Sequence, residues 1–195
     1  MRLKKYLFLL CIPMSGWAQQ VPSTMLLQDG IHHWNLLHPN RSYMRYAETD
    51  YENIADNLIA YQNLDGGWLK NIDWLGVLNS DSVKATLNDF EKQSTLDNRN
   101  TFSQIEYLAD TYVLTNKLKY RLAVEKGLDY LLDTQKENGG WRGWDVDAVT
   151  FNDDVTTGAI ELCRNILQGD KSFLWLDKKY LDKIKIAYIR GINLI

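Results

Sequence analysis

The chain has 195 residues, 45% hydrophobic and 24% charged, a globular balance that excludes a disordered, collagen-like or charged-tail protein. Trp 7, Tyr 11 and Phe 5 against Pro 3 supply packing side chains and few helix breakers, which favours helices. The net charge is −3, and without Arg2, Lys4 and Lys5 the balance is 19 basic against 25 acidic residues, or −6, which excludes a nucleic-acid partner recruited by charge.

Residues 1–18 read as a secretory signal peptide: the basic MRLKK, the apolar YLFLLCIPM, then small residues at Gly16 and Ala18, with cleavage expected between Ala18 and Gln19. The apolar run is well short of the roughly 20 residues that span a bilayer. Large residues before Cys11 do not make a lipoprotein box. The protein is therefore expected outside the cytoplasm, extracellular or periplasmic, with no membrane attachment after cleavage. Only Cys163 then remains, so no internal disulfide is available. Residues 19–50 read as a polar N-terminal arm.

From 51 to 195 the pattern is helical, with apolar residues returning every three or four positions. Ile54, Leu58 and Ile59 mark one helix, and Phe102, Ile105, Leu108, Ala109 and Tyr112 the next. Ala123, Leu128, Leu131 and Leu132 follow, then Val155, Ala159, Cys163, Ile166 and Leu167, then Leu181, Ile184, Ala187, Tyr188 and Ile192. Two helix exits repeat at an offset of 73: Gln62, Gly66, Gly67 and Trp68 match Gln135, Gly139, Gly140 and Trp141. A third copy begins at Ala187 to Ile192, which parallels Ala123 to Leu128. The sequence stops at Ile195 before that copy's Gln and Gly-Gly-Trp, so a truncated chain is expected. The fold class that follows is all-α, an α/α toroid of helical hairpins, incomplete in this chain.

Polar residues concentrate in Asp65 to Asn71, Ser94 to Thr101 and Thr150 to Asp154. The last two precede helices, where Asp and Asn act as caps. One cap suffices per helix, however, and Asp97 with Asp153 or Asp154 could meet across a cleft as oxygen ligands of a hard cation. His32, His33 and His38 read as packing or surface features, since no zinc-ligand spacing surrounds them. Trp74, Trp141 and Trp144 are candidates either for sugar stacking or for the core. Cys163 reads as a buried small hydrophobe.

Tyr61 to Asn71, Ser94-Thr95-Leu96-Asp97-Asn98 with Thr101 and Ile105, Lys126 to Leu132, Asn138 to Trp141, and Thr150 to Asp154 occur in an order that resembles the family 10 polysaccharide lyases, the pectate lyases with an α/α toroid. The resemblance covers roughly residues 50 to 195. It implies cleavage of polygalacturonate (pectate) by Ca²⁺-dependent β-elimination, with Asp97, Asp153 and Asp154 as metal ligands and Lys70, Asn71, Asn98, Thr101 and Asn152 as substrate contacts. It also implies an arginine base in the family's second half, beyond Ile195. Arg99, Arg142 and Arg164 do not sit in that motif, so the 195 residues alone are expected to be inactive. Arg99 and Asn100 replace small residues of the family pattern, and Gln104 stands at a common Glu position. Other classes compatible with the scaffold are a glycoside hydrolase using Asp97 with Asp153 or Asp154 and a non-catalytic pectin-binding remnant. A full-length protein is expected to be a monomer.

Overall fold

Each apolar stripe becomes a helix in the computed structural model, which describes residues 21–40, 42–77 and 93–195. The helices are α1 (Gln28–Leu37), α2 (Tyr51–Tyr61), α3 (Phe102–Thr115), α4 (Leu118–Asp133), α5 (Val155–Leu167) and α6 (Lys178–Ile192). Short 3-10 turns occupy Thr24–Leu27, Asp97–Arg99, Asn152–Asp154 and Lys171–Phe173. The described residues form no strand, only isolated bridges of Arg45 with Gly76 and Arg142 with Val149. None of their helices is long and apolar enough to cross a membrane. The expected signal peptide, residues 1–18, lies outside the described residues.

The two-residue turn Asn116-Lys117 folds α3 and α4 into an antiparallel hairpin, and α5 pairs with α6 across the longer connection that carries the Lys171–Phe173 turn. Contacts between α2 and α4, between α4 and α6, and between α3 and α5 set the hairpins side by side, so that α2, α4 and α6 form one row and α3 and α5 another. The core between the rows is the predicted stripe: Ile54 and Leu58, Ile105 and Leu108, Leu128 and Leu131, Ala159 and Cys163, Ile184 and Ala187 are all buried. Ile192 is a correction, exposed at the end of α6 while Gly191 is buried in its place. Position 191 lies seven residues beyond Ile184 and four beyond Ala187, and so it continues the stripe.

The arm is the second correction, because residues expected to be a polar lead-in fold as a 3-10 turn and α1. Leu27 and Ile31 are buried and Trp34 packs against the core. This is an i, i+4, i+7 stripe. Helix α1 rests against the Asp97–Arg99 turn. The segment after it is stitched to residues 73–77 by Tyr46 N–H to the Leu75 carbonyl and Val77 N–H to the Met44 carbonyl, both at 2.8 Å.

The repeated exits share the bonding of their Gln and Trp side chains. Gln62 Nε2 donates to the Gly66 carbonyl within its own turn and to the Ala123 carbonyl of α4, both at 2.8 Å; Gln135 Nε2 donates likewise to Gly139 and to Ala187 of α6, again at 2.8 Å. The Trp68 indole donates to the Leu58 carbonyl and the Trp141 indole to the Leu131 carbonyl, both at 2.7 Å. Each indole thereby satisfies a carbonyl left open in the last turn of its helix. Gly66 and Gly139 have φ of +95° and +98°, and a Cβ on them would lie 2.2 Å from the Lys126 carbonyl oxygen of α4 and 2.1 Å from the Arg190 carbonyl oxygen of α6. Glycine is required there for both conformation and space. Ala187 accepting from Gln135 as Ala123 does from Gln62 places α6 as the start of a third unit.

Candidate functional site

The exits lead into two loops that repeat each other more closely in shape than in sequence. Thr95-Leu-Asp-Asn-Arg and Thr150-Phe-Asn-Asp-Asp, offset by 55, carry left-handed residues at the same places: Asn98 and Arg99 at φ 53° and 56°, Asp153 and Asp154 at 52° and 55°. Thr95 N–H donates to the Trp68 carbonyl at 3.0 Å and Thr150 N–H to the Trp141 carbonyl at 2.9 Å. Behind them, Thr101 and Thr156 hydroxyls accept from the Trp68 and Trp141 N–H groups at 3.2 and 3.1 Å. All but one of the described non-glycine residues at positive φ (Asn71, Asn98, Arg99, Thr101, Asp153 and Asp154) lie in or beside these loops. Such conformations persist only where the surroundings enforce them, and they concentrate at functional sites.

Together the loops border a cleft of about 550 Å³. Lys70, Asp97, Asn98, Trp144, Asn152 and Asp153 all line it, with Asp145 and Phe151. Asp97 is almost fully buried and its carboxylate accepts from Lys70 Nζ. The Lys70 ammonium also stands over the Trp144 ring, 5.0 Å from its centroid, a cation–π contact that holds the charge at the cleft. Asn98 Nδ2 donates to Asn71 Oδ1 at 2.7 Å, and Asn152 Nδ2 to Asp153 Oδ2 at 2.8 Å. Five of the expected site residues, Lys70, Asp97, Asn98, Asn152 and Asp153, are therefore brought together. Asn71 is joined to them through Asn98.

Two expectations are corrected. Thr101 is fully buried, its hydroxyl donating to the Thr95 carbonyl at 2.8 Å while accepting from Trp68 N–H, so both its bonds are internal. Asp154 does not line the cleft, because its carboxylate is ion-paired with Arg99, which also stands over the Phe102 ring. The capping alternative for these acids falls as well: α3 and α5 begin without a side-chain cap hydrogen bond.

No three His, Cys, Asp or Glu side chains among the described residues are grouped to hold a metal ion. Asp97 and Asp153, with the amide oxygens of Asn98 and Asn152, nonetheless present hard oxygen donors to one cleft. That set suits a hard cation only when other ligands complete the shell.

The three arginines considered as bases are occupied elsewhere. Arg99 holds Asp154, Arg164 holds Glu161, and Arg142 donates to the Gly143 and Trp144 carbonyls at 3.2 and 3.1 Å. None lines the cleft. The departures from the family pattern explain one another: Gln104 Nε2 donates to Asn100 Oδ1 at 3.0 Å, a buried pair of amides, and Arg99 has its partner in Asp154. Trp74 and Trp141 belong to the core, whereas Trp144 is partly exposed at the cleft. Cys163 is buried and free, and burial pushes its thiol up to about 12. The loop repeat was hidden in the sequence because its acid and amide are exchanged, Asp97-Asn98 against Asn152-Asp153. The signal that could have found it is the threonine spaced six residues apart in both, Thr95 to Thr101 and Thr150 to Thr156.

Comparison with solved structures places the fold beside a family 10 polysaccharide lyase from Cellvibrio cellulosa, with a TM-score of 0.57 and 22% identity, covering 74% of this chain and 47% of that one. An aspartate-to-alanine mutant of the same enzyme, in complex with trigalacturonic acid, matches with the same TM-score and identity over 74% of this chain and 48% of the other. The chain thus spans about half the length of the structures it matches. No curated protein matches it. The family model described as pectic acid lyase matches residues 62–195, a span that holds both exits, both loops and every cleft residue above, and the chain belongs to the pectic acid lyase family.

Proposed function

We propose that the cleft binds polygalacturonate and serves its cleavage by Ca²⁺-assisted β-elimination, in a protein acting outside the cytoplasm after loss of residues 1–18. The observation that carries the reading is the convergence of Lys70, Asp97, Asn98, Asn152 and Asp153 on one cleft within the family-matched span. The charges support a bridging cation. Three carboxylates, Asp97, Asp145 and Asp153, face one ammonium, Lys70, and a polyuronate would be repelled unless a divalent ion were shared between its carboxylates and those of the protein. Bound in that way, Ca²⁺ would act as a Lewis acid on the uronate carboxylate and acidify the C5 proton. Lys70 would donate to a substrate carboxylate, the Asn71, Asn98 and Asn152 amides would orient hydroxyls, and Trp144 would pack against a sugar face.

Among the described residues no arginine lines the cleft, which supports assigning binding and charge neutralisation, rather than the C5 base, to them. The 195-residue chain is accordingly proposed to bind pectate with at most residual turnover. The test is incubation of this chain with polygalacturonate and Ca²⁺ at alkaline pH. The expected result is Ca²⁺-dependent retention on the polymer, with little release of the ultraviolet-absorbing unsaturated product. New reducing ends without unsaturation would establish hydrolysis instead, and absence of binding with Ca²⁺ would overturn the reading.

A further inference from the structure

Beside the cleft lies a second hollow of about 130 Å³, lined by Trp34, Leu37, His38, Leu69, Lys70, Asn71 and Trp144. Lys70 and Trp144 line both spaces, so the hollow continues the cleft toward the C-terminal end of α1. That helix lies outside the span matched by the family model.

Its aromatic surface is preorganised. Trp34 and His38 stack with ring centroids 3.8 Å apart and an interplanar angle of 17°. Trp34 Nε1 donates to the Tyr43 hydroxyl at 2.7 Å, and that hydroxyl donates to Asp73 at 2.9 Å. Arg45 Nη2 holds the same carboxylate at 3.0 Å. Asp73 is buried, so the indole is anchored through two hydrogen bonds to a fixed point of the fold. His38 Nδ1 donates to the Trp34 carbonyl at 3.0 Å, which leaves Nε2 of this exposed ring for a ligand. Flat rings with polar tips beside a lysine ammonium are what a uronate needs: an apolar pyranose face to cover, hydroxyls to bond and a carboxylate to neutralise.

Resting on the pectate reading, we propose that this hollow is an additional saccharide subsite: it takes a further uronate unit of a chain already seated in the main cleft, packed on the Trp34–His38 surface with a hydroxyl on His38 Nε2. Helix α1 then contributes to substrate length preference.

The test is titration of the 195-residue chain, in Ca²⁺, with tri- and hexagalacturonate by calorimetry. The parent should bind the hexamer about tenfold more tightly than the trimer. His38→Ala and Trp34→Leu should each lower hexamer affinity about fivefold while leaving trimer affinity within about twofold. Circular dichroism checks folding, and because His38 is exposed, the His38→Ala result decides the matter if Trp34→Leu unfolds. Trimer binding with an unchanged hexamer-to-trimer ratio in His38→Ala would overturn the subsite and leave the pectate reading standing. Failure of the parent to bind either oligomer would overturn both.

Discussion

Replacing Thr101 with Val separates scaffolding from ligand contact. The substitution keeps the β-branched shape at an enforced φ of 64° but removes the hydroxyl. Two buried groups then lose their partner, the Trp68 N–H at 3.2 Å and the Thr95 carbonyl at 2.8 Å. A buried polar group left unsatisfied costs about 1–3 kcal/mol, so the loss of two partners should cost about 2–6 kcal/mol. At about 2–4 °C per kcal/mol for a chain of this size, the melting temperature should fall by about 4–24 °C. Thr101→Ser keeps the hydroxyl and should recover most of the loss. Calorimetry of the three proteins measures this, and trigalacturonate affinity measured well below the transition should stay within about threefold of the parent. A Thr101→Val protein that melts with the parent yet binds trigalacturonate tenfold more weakly would refute the reasoning, because the hydroxyl would then be touching the ligand.

Asp97→Asn should weaken Ca²⁺-dependent pectate binding by about tenfold or more, whereas Asp154→Asn, whose partner is Arg99 outside the cleft, should change it by less than about threefold; equal losses in calorimetric titrations would contradict the placement of the two acids. Gly139→Ala drives a methyl against the Arg190 carbonyl and should cost at least about 2 kcal/mol, while Gly169→Ala, at φ +86° with open space around it, should cost only about 1 kcal/mol, as urea denaturation would show. Glu106 on α3 is raised to about 7, first by burial and then by Asp170, Asp110 and Glu161, with Arg99 opposing. Its folded value exceeds the ordinary 4.5, so its contribution is complete below that pH and is lost as pH rises through about 7. Glu106→Gln should therefore raise stability at pH 8 relative to the parent, by up to roughly 3 kcal/mol, and flatten the fall between pH 4.5 and 7 in denaturation curves.

The helices were legible because their stripes are long, and the Gln and Gly-Gly-Trp exits because each residue has a conformational or bonding task that few others perform. Helix α1 escaped notice since its stripe of Leu27, Ile31 and Trp34 is interrupted by polar residues. Lys70, Asp97, Asn98, Asn152 and Asp153 were legible as a polar constellation, but their individual duties were not. The choice between Asp153 and Asp154 is made by two consecutive left-handed residues, which turn one carboxylate into the cleft and the other toward Arg99. Nor does residue type distinguish Thr101 as a hydroxyl facing a ligand from Thr101 as the bolt between two loop segments.

The glutamine bonds from each helix exit to the helix two places onward bear on the order of folding. Gln62 reaches Ala123 across 61 residues and Gln135 reaches Ala187 across 52, so no exit turn can mature until the hairpin after it has docked. Local contacts form the hairpins quickly, but each closure of 50 to 60 residues adds an entropic delay. Assembly is therefore sequential and nearest-neighbour in character, like a solenoid. Slow amide exchange at the Gly66 and Gly139 turns should appear only as the succeeding helix becomes protected, which makes each turn a timer for the docking of its neighbour.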